Sequence, residues 1–141
     1  MDGTEDTLYT DTLPASVLNT NGDKISGYYQ LAIVGHAVST DRIRIYYGGT
    51  AIFDTTALNF PMTSALTLNF QIVRVSATVV RCSIVATTSS ATVIAYSQYA
   101  EVTGLTLAST QIIALKNIST GTNSAAGDVT AKLGNIGWLS N

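Results

Sequence analysis

The side chains that could carry acid–base or nucleophilic chemistry are few in this sequence. His36 is the single histidine and Cys82 the single cysteine, whereas a zinc site built from these residue types takes about four ligands. Nucleophilic catalysis would need a serine or Cys82 beside His36, and an acid that orients the histidine. His36 lies between Gly35 and Ala37 in an apolar stretch, which is typical of a packed histidine. The sequence therefore predicts a protein that is not an enzyme and binds no cofactor or metal; a small hydrolase that uses His36 is the alternative.

Acidic residues are a second source of possible chemistry. Asp41, Asp54, Glu101 and Asp128 all fall near the ends of predicted strands or in turns. A glycosidase of the two-carboxylate type needs two acids close together in one cleft, and no such pair is indicated by the spacing. We predict that these four residues cap turns and face solvent.

Oxygen-bearing side chains occupy alternate positions at Asn19, Asn21 and Asp23. A calcium loop would supply more carboxylates and would not place Lys24 next to them. Asn21 precedes Gly22, and this pair readily accepts the positive φ of a tight turn. We predict a turn here, with a calcium loop as the alternative.

The composition limits the classes of partner. Only 11% of the 141 residues are charged, where about 25% is usual for soluble domains. A surface rich in Ser and Thr can be buried against a partner without removing water from ions, which costs several kcal/mol per ion. This favours a protein that assembles, although threonine is also common simply because β-branched residues suit strands.

Nucleic acid and membrane are not predicted as partners. The net charge is -2, and the seven Lys and Arg residues are scattered rather than grouped for phosphate contacts. No apolar run approaches the ~20 residues of a membrane span. The acidic, polar stretch at residues 1–12 does not read as a signal peptide.

Alternation of apolar and polar residues dominates the chain. In residues 42–47, Ile43, Ile45 and Tyr47 point to one face and the intervening residues to the other. The same pattern recurs in residues 66–72 and 80–86, and turn residues arrive about every ten positions. With almost no helix signal, this predicts eight or nine antiparallel strands.

The predicted fold is an all-β antiparallel two-sheet sandwich, most simply a jelly roll, with a short extended N-terminal arm. Residues 1–13 form this arm and a first edge strand, and residues 14–141 form one sandwich domain. An immunoglobulin-like sandwich is the alternative, but its Cys–Trp–Cys pattern is missing.

Tyrosines stand out as possible partner contacts, because successive residues of a strand point to opposite faces and one member of each Tyr-Tyr pair should lie outward. Together with apolar residues of the arm they give the candidate assembly contacts: Leu8, Tyr9, Leu13, Tyr28, Tyr46 and Tyr99.

Several stretches, in this order, resemble a recurrent domain of tailed-bacteriophage structural proteins. They are residues 8–14, 18–23, 45–54, 72–78 and 128–138. The resemblance implies a β-sandwich, often a jelly roll, that trimerises and occurs in head-decoration (cement) proteins and in fibre knobs. It implies no catalytic residues.

From this resemblance we expect a homotrimeric decoration protein on the outer surface of a capsid. Its partners would be copies of itself and the major capsid protein or other virion proteins. The N-terminal arm would reach neighbouring subunits. The alternative is a tail or head-fibre knob that binds a host receptor or glycan.

Overall fold

The computed structural model describes residues 3–35, 38–60, 63–89, 96–121 and 127–140. His36, residues 93–95 and residues 122–126 lie outside these ranges. The described residues form nine β-strands: β1 (Asp6–Leu13), β2 (Lys24–Ile33), β3 (Thr40–Tyr47), β4 (Thr50–Asp54), β5 (Ser64–Ser76), β6 (Val79–Thr88), β7 (Tyr96–Val102), β8 (Gln111–Thr120) and β9 (Val129–Leu139).

The strands form two sheets that pack face to face. One sheet has four strands in the order β1-β8-β3-β4, and the other has five in the order β7-β6-β5-β2-β9. Every pairing between named strands is antiparallel. This confirms the predicted all-β, two-sheet antiparallel sandwich; the strand number is one more than the eight of a jelly roll.

The segment predicted as an arm contains β1, an edge strand of the four-stranded sheet. Its pairing with β8 runs from Asp6 opposite Asn117 to Leu13 opposite Gln111, with one irregularity between Thr7 and Tyr9. Its side chains include Leu13, which is buried in the chain's own core.

Alternate side chains fill the space between the sheets, as predicted. Alternate residues of β3, β5 and β6 are buried, because one face of each strand contacts the opposite sheet. Cys82 is among them, as a free, buried thiol. The largest fully buried side chains include Tyr29, Tyr47 and Phe53.

The predicted turn at residues 19–24 is also present. Main-chain amides of Asn19 and Thr20 donate to Oδ2 of Asp23 at 2.8 and 2.6 Å, and Gly22 has a φ of 96°. Arg74 of β5 donates to the carbonyl oxygen of Leu18 at 2.7 Å. The Asp23 carboxylate therefore holds this loop together from within the chain.

Candidate interaction surfaces

The prediction that all four acids face solvent is wrong for Asp41 and Asp128, which are buried. Asp41 accepts a hydrogen bond from Ser119 at the buried end of β8, and Glu101 pairs with Arg81 at 3.0 Å. Across the described ranges, no group of three or more His, Cys, Asp or Glu residues could hold a metal ion. No helix in those ranges could span a membrane.

The outer face of the four-stranded sheet carries a charge network, which we call the charged face. Arg42 binds Asp54 through two hydrogen bonds of 2.8 and 2.6 Å. Arg44 donates to the same carboxylate at 3.2 Å and to Glu5 at 3.0 Å. Lys116 completes the network with a 3.0 Å contact to Glu5. Side chains from β3, β4 and β8 are thus joined to the residue that precedes β1.

These contacts favour the ionised carboxylates. Hydrogen bonds from Arg42 hold the pKa of Asp54 below its ordinary value of 3.8. Burial alone would raise the pKa of Glu5, but hydrogen bonds from Tyr46, Lys116 and Arg44 outweigh it and hold that pKa below 4.5. The charged face is an internally satisfied surface at neutral pH.

The outer face of the five-stranded sheet differs, and we call its central part the uncharged face. Its residues stand in rows across β7, β6, β5, β2 and β9. One row is Tyr99, Ser83, Gln71, Ser26 and Gly137. The adjacent row is Ser97, Val85, Asn69, Tyr28 and Asn135. Neither row contains an ionisable group other than the two tyrosines.

A shallow groove of about 330 Å³ crosses the uncharged face. Its lining includes Ser26, Asn69, Gln71, Ser83 and Val85. Within the described residues, the side chains of the two serines and two amides in this group make no hydrogen bond. Their donors and acceptors face outward without a partner among the residues that the structure describes.

Two tyrosines flank this groove. Tyr28 on β2 is directly opposite Asn69, and Tyr99 on β7 is directly opposite Ser83. Their exposed fractions are 39% and 63%. Neither hydroxyl makes a hydrogen bond to a described residue.

The third surface is the side of the sandwich where β1 and β9 lie, which we call the open side. Trp138 of β9 is opposite Ile25 and therefore points toward the inner face of its sheet, yet it is 53% exposed whereas Ile25 is fully buried. The four-stranded sheet approaches β9 through β1, where Tyr9 packs on Tyr29 with ring centroids 5.4 Å apart. On the opposite side, by contrast, Gln98 of β7 accepts a 2.9 Å hydrogen bond from the Asp54 amide of β4.

The edge of β9 is also long and nearly uncharged. Its 11 residues include one charged side chain, Lys132, which lies at a register shift opposite β2. Leu133 and Leu139 of the same strand are each 56% exposed. No described strand pairs with the free edge of β9. Such an edge is a template for pairing with another chain.

The six candidate contact residues fall into separate places. Leu8 and Tyr9 are half-buried against the core, and Leu13 is buried. Tyr46 lies on the charged face, where its hydroxyl donates to Glu5 at 2.8 Å. Only Tyr28 and Tyr99 share one surface, the uncharged face.

Sequence reasoning did not select the groove amides or Trp138. Alternation in β5 already placed Asn69 and Gln71 opposite the apolar side of the strand, so an outward position was readable. Their neighbours on β2 and β6 depend on strand order, and no local pattern specifies that order.

Comparisons with known proteins add little. No protein-family model and no curated protein matches the chain. Among solved structures, the crystal structure of the infectious bursal disease virus VP2 subviral particle is similar, with a TM-score of 0.36 and 11% sequence identity. The similarity covers 97% of this chain and 26% of that chain, so this chain spans about a quarter of the other's length. A similarity at this level carries no argument, and the fold assignment rests on the strands described above.

Proposed function

We propose that this protein is a structural component of a virion, a capsid decoration protein that stabilises the head as a homotrimer. It would lie on the outer surface of the capsid, in contact with the major capsid protein. The open side is the single observation that carries this proposal. The sequence resemblance to phage structural domains supplies the viral context.

The physical argument starts from Trp138. A tryptophan that points toward the core side of its sheet but stays half exposed is only partly covered by its own chain. Fully burying a large apolar side chain contributes about 1.5–3 kcal/mol. Trp138 on the inner face of β9, with Leu133 and Leu139 on its outer face, therefore offers several kcal/mol to a partner that covers both faces of this edge strand.

Low charge makes such burial favourable. Lys132 is the one ion on β9, so few charges would lose water when a neighbouring subunit covers this strand. Interfaces of this kind have an apolar centre and depleted charge. Copies joined in this way would add buried area at subunit junctions of the shell and resist its expansion.

The test combines sedimentation with particle binding. The purified chain is run in analytical ultracentrifugation and is then mixed with undecorated capsids. Trp138→Ser is compared with Tyr99→Ser, since both remove an exposed aromatic residue from an edge strand of the same sheet. We expect the parent chain and Tyr99→Ser to sediment as trimers and to bind capsids, and Trp138→Ser to dissociate.

A sedimentation mass of one chain at high concentration would contradict the homotrimer. Capsids that bind neither the parent chain nor Tyr99→Ser would contradict the decoration role. If Trp138→Ser assembles as well as the parent chain, the open side is not the contact.

A second role, a tail or head-fibre knob that binds a host receptor or glycan, is favoured by the exposed tyrosines of the uncharged face. Fractionation of virions separates this role from the first, because a knob would be found with tails or fibres. Saturable binding to host cells would support it. Presence in tail-free heads without fibres would count against it.

A further inference from the structure

We infer that the groove of the uncharged face binds an uncharged oligosaccharide. This inference deepens the second role proposed above and rests on it. It names the surface of contact and the chemical class of ligand. The ligand would lie across β7, β6, β5 and β2, with its hydroxyls on the groove and its ends at the two tyrosines.

The hydrogen-bonding capacity of the groove matches a sugar. Each carboxamide, on Asn69 and Gln71, presents two N–H donors and an acceptor oxygen, and each hydroxyl, on Ser26 and Ser83, can donate and accept. Sugar hydroxyls likewise need donors and acceptors at short spacing. Since none of these side chains is engaged by a described residue, binding a saccharide would break no hydrogen bond of the protein.

The tyrosines supply the complementary apolar contact. Aromatic rings with a polar tip suit surfaces that are partly apolar and partly wet, and a pyranose ring presents a face of C–H groups to such a ring. Tyr28 and Tyr99 are three strand intervals apart, which is about 14 Å at ordinary strand spacing. They lie in adjacent rows, offset by about 7 Å along the strands. This span exceeds one sugar ring and fits an oligosaccharide.

Charge defines the type of saccharide. None of the residues that line the groove is ionised. The charges on this outer face stand in the next row, where Arg81 is paired with Glu101, and Lys24 lies further along the same row. A sialylated or sulfated glycan would find no cationic side chain in this lining to pair with its charge.

A second copy of the chain suits the groove less well. A flat apolar surface would leave the amides of Asn69 and Gln71 buried without partners, and each such group costs about 1–3 kcal/mol. The exposed apolar residues Trp138, Leu133 and Leu139 lie instead on β9. Binding of a second copy at the groove is therefore the alternative, and sedimentation of the groove variants tests it.

The experiment probes the intact chain on an array of neutral and acidic glycans. Neutral disaccharides to hexasaccharides of glucose, galactose and N-acetylglucosamine are compared with sialylated and sulfated ones. The best neutral oligosaccharide is then titrated in solution against the parent chain, Tyr99→Ala and Gln71→Ala. Ile112→Ala, which removes an exposed residue of β8 on the other sheet, is the matched control.

We expect neutral oligosaccharides to bind, and each groove variant to bind about tenfold more weakly, the effect of about 1.4 kcal/mol. The Ile112→Ala control should keep the parent affinity. Because no ion pair forms, the affinity should be the same at low and high salt.

Several results would overturn the inference. These are binding restricted to acidic glycans, no glycan binding at all, or neutral binding that Tyr99→Ala and Gln71→Ala leave unchanged. A change in sedimentation mass caused by the groove variants, without glycan binding, would identify the groove as a protein interface. Failure of the virion role is distinguishable, because that role is tested on virus particles whereas glycan binding is tested on the purified chain.

Discussion

Tyr46 and Tyr99 both project outward from strands of this sandwich, but from opposite sheets and into different surroundings. The Tyr46 hydroxyl donates to Glu5 at 2.8 Å, and the Nζ of Lys116 lies 4.8 Å from the centre of its ring. Tyr99 is 63% exposed and stands beside Ser83 with its hydroxyl uncommitted to any described residue. The same residue type is thus structural on one face and available on the other.

The difference extends to the whole of each face. Charges on the charged face bind one another and connect the residue before β1 to β3 and β8. Polar groups on the uncharged face are neutral and are left for solvent or a ligand. A network of side chains stabilises its own chain, whereas exposed polar groups without a described partner contribute little to folding and are available for binding. The candidate function therefore belongs to the uncharged face and to the open side, and the charged face supports the fold.

The largest effect should come from beneath the uncharged face, at Gly27. A Cβ at this position would lie 2.5 Å from the Phe70 ring and from the carbonyl oxygen of Asn135. We expect Gly27→Ala to lower the free energy of unfolding by about 3 kcal/mol, because overpacking in a filled core cannot be relieved cheaply. Urea denaturation measures this change.

Gly137 is the matched control, since it lies on the adjacent strand and a Cβ there meets nothing within 4 Å. Gly137→Ala should leave the free energy of unfolding within about 0.5 kcal/mol of the parent value. Equal losses at the two glycines would show that close packing under this face is not what holds the sheet.

A smaller loss should follow from opening the charged face at Arg44. This guanidinium bridges Asp54 and Glu5, and Arg44→Met keeps the length of the side chain while removing the charge. We expect a loss of about 1 kcal/mol, the upper end for partly exposed pairs, because Arg42 and Lys116 still neutralise the two carboxylates. Thermal or urea unfolding measures it.

Arg81→Met provides the comparison, because its pair with Glu101 is largely solvent-exposed. Exposed ion pairs contribute little to stability, so this variant should have the same free energy of unfolding as the parent chain. If Arg81→Met lowers the free energy of unfolding as much as Arg44→Met, the network on the charged face stabilises the fold no more than an exposed ion pair does.

Acid should weaken the charged face more than the uncharged face. The folded pKa values of Asp54 and Glu5 lie below their ordinary values of 3.8 and 4.5. Their contribution is therefore complete above those ordinary values and is lost as the pH falls through the lower folded values. At pH values below 4.5 we expect the urea concentration at the unfolding midpoint to decrease. The decrease should be smaller in the double variant Glu5→Gln, Asp54→Asn. An identical pH dependence in the two proteins would mean that other buried acids carry the whole effect.

Alternation was enough to predict the fold class and most of the core. Ile43, Ile45 and Tyr47 point inward because a period of two is a local property of a strand with one buried face. The sheet order is not local. Nothing near Ser83 in the sequence indicates that Gln71 and Tyr99 are its neighbours on the two adjacent strands.

The candidate surfaces were correspondingly harder to foresee. Tyr28 and Tyr99 could be selected as outward residues by type, but Tyr46 has the same pattern and is held by Glu5, a residue 41 positions away. The exposure of Trp138 depends on how far β1 covers β9, which is a property of two sheets and not of either strand. Contacts between segments distant in sequence determine both the engagement of Tyr46 and the exposure of Trp138.

The smallest effect should come from the groove amides themselves. Asparagine is disfavoured in strands and threonine is favoured, so a strand selected for stability alone would not carry Asn69. We expect the double variant Asn69→Thr, Gln71→Thr to change the free energy of unfolding by less than about 0.5 kcal/mol. Any change should be an increase. A loss larger than that of Arg44→Met in the same urea titration would show that these amides support the fold. If stability is kept, these two amides are dispensable for folding, and a role in binding becomes the simplest reason for their presence on this face.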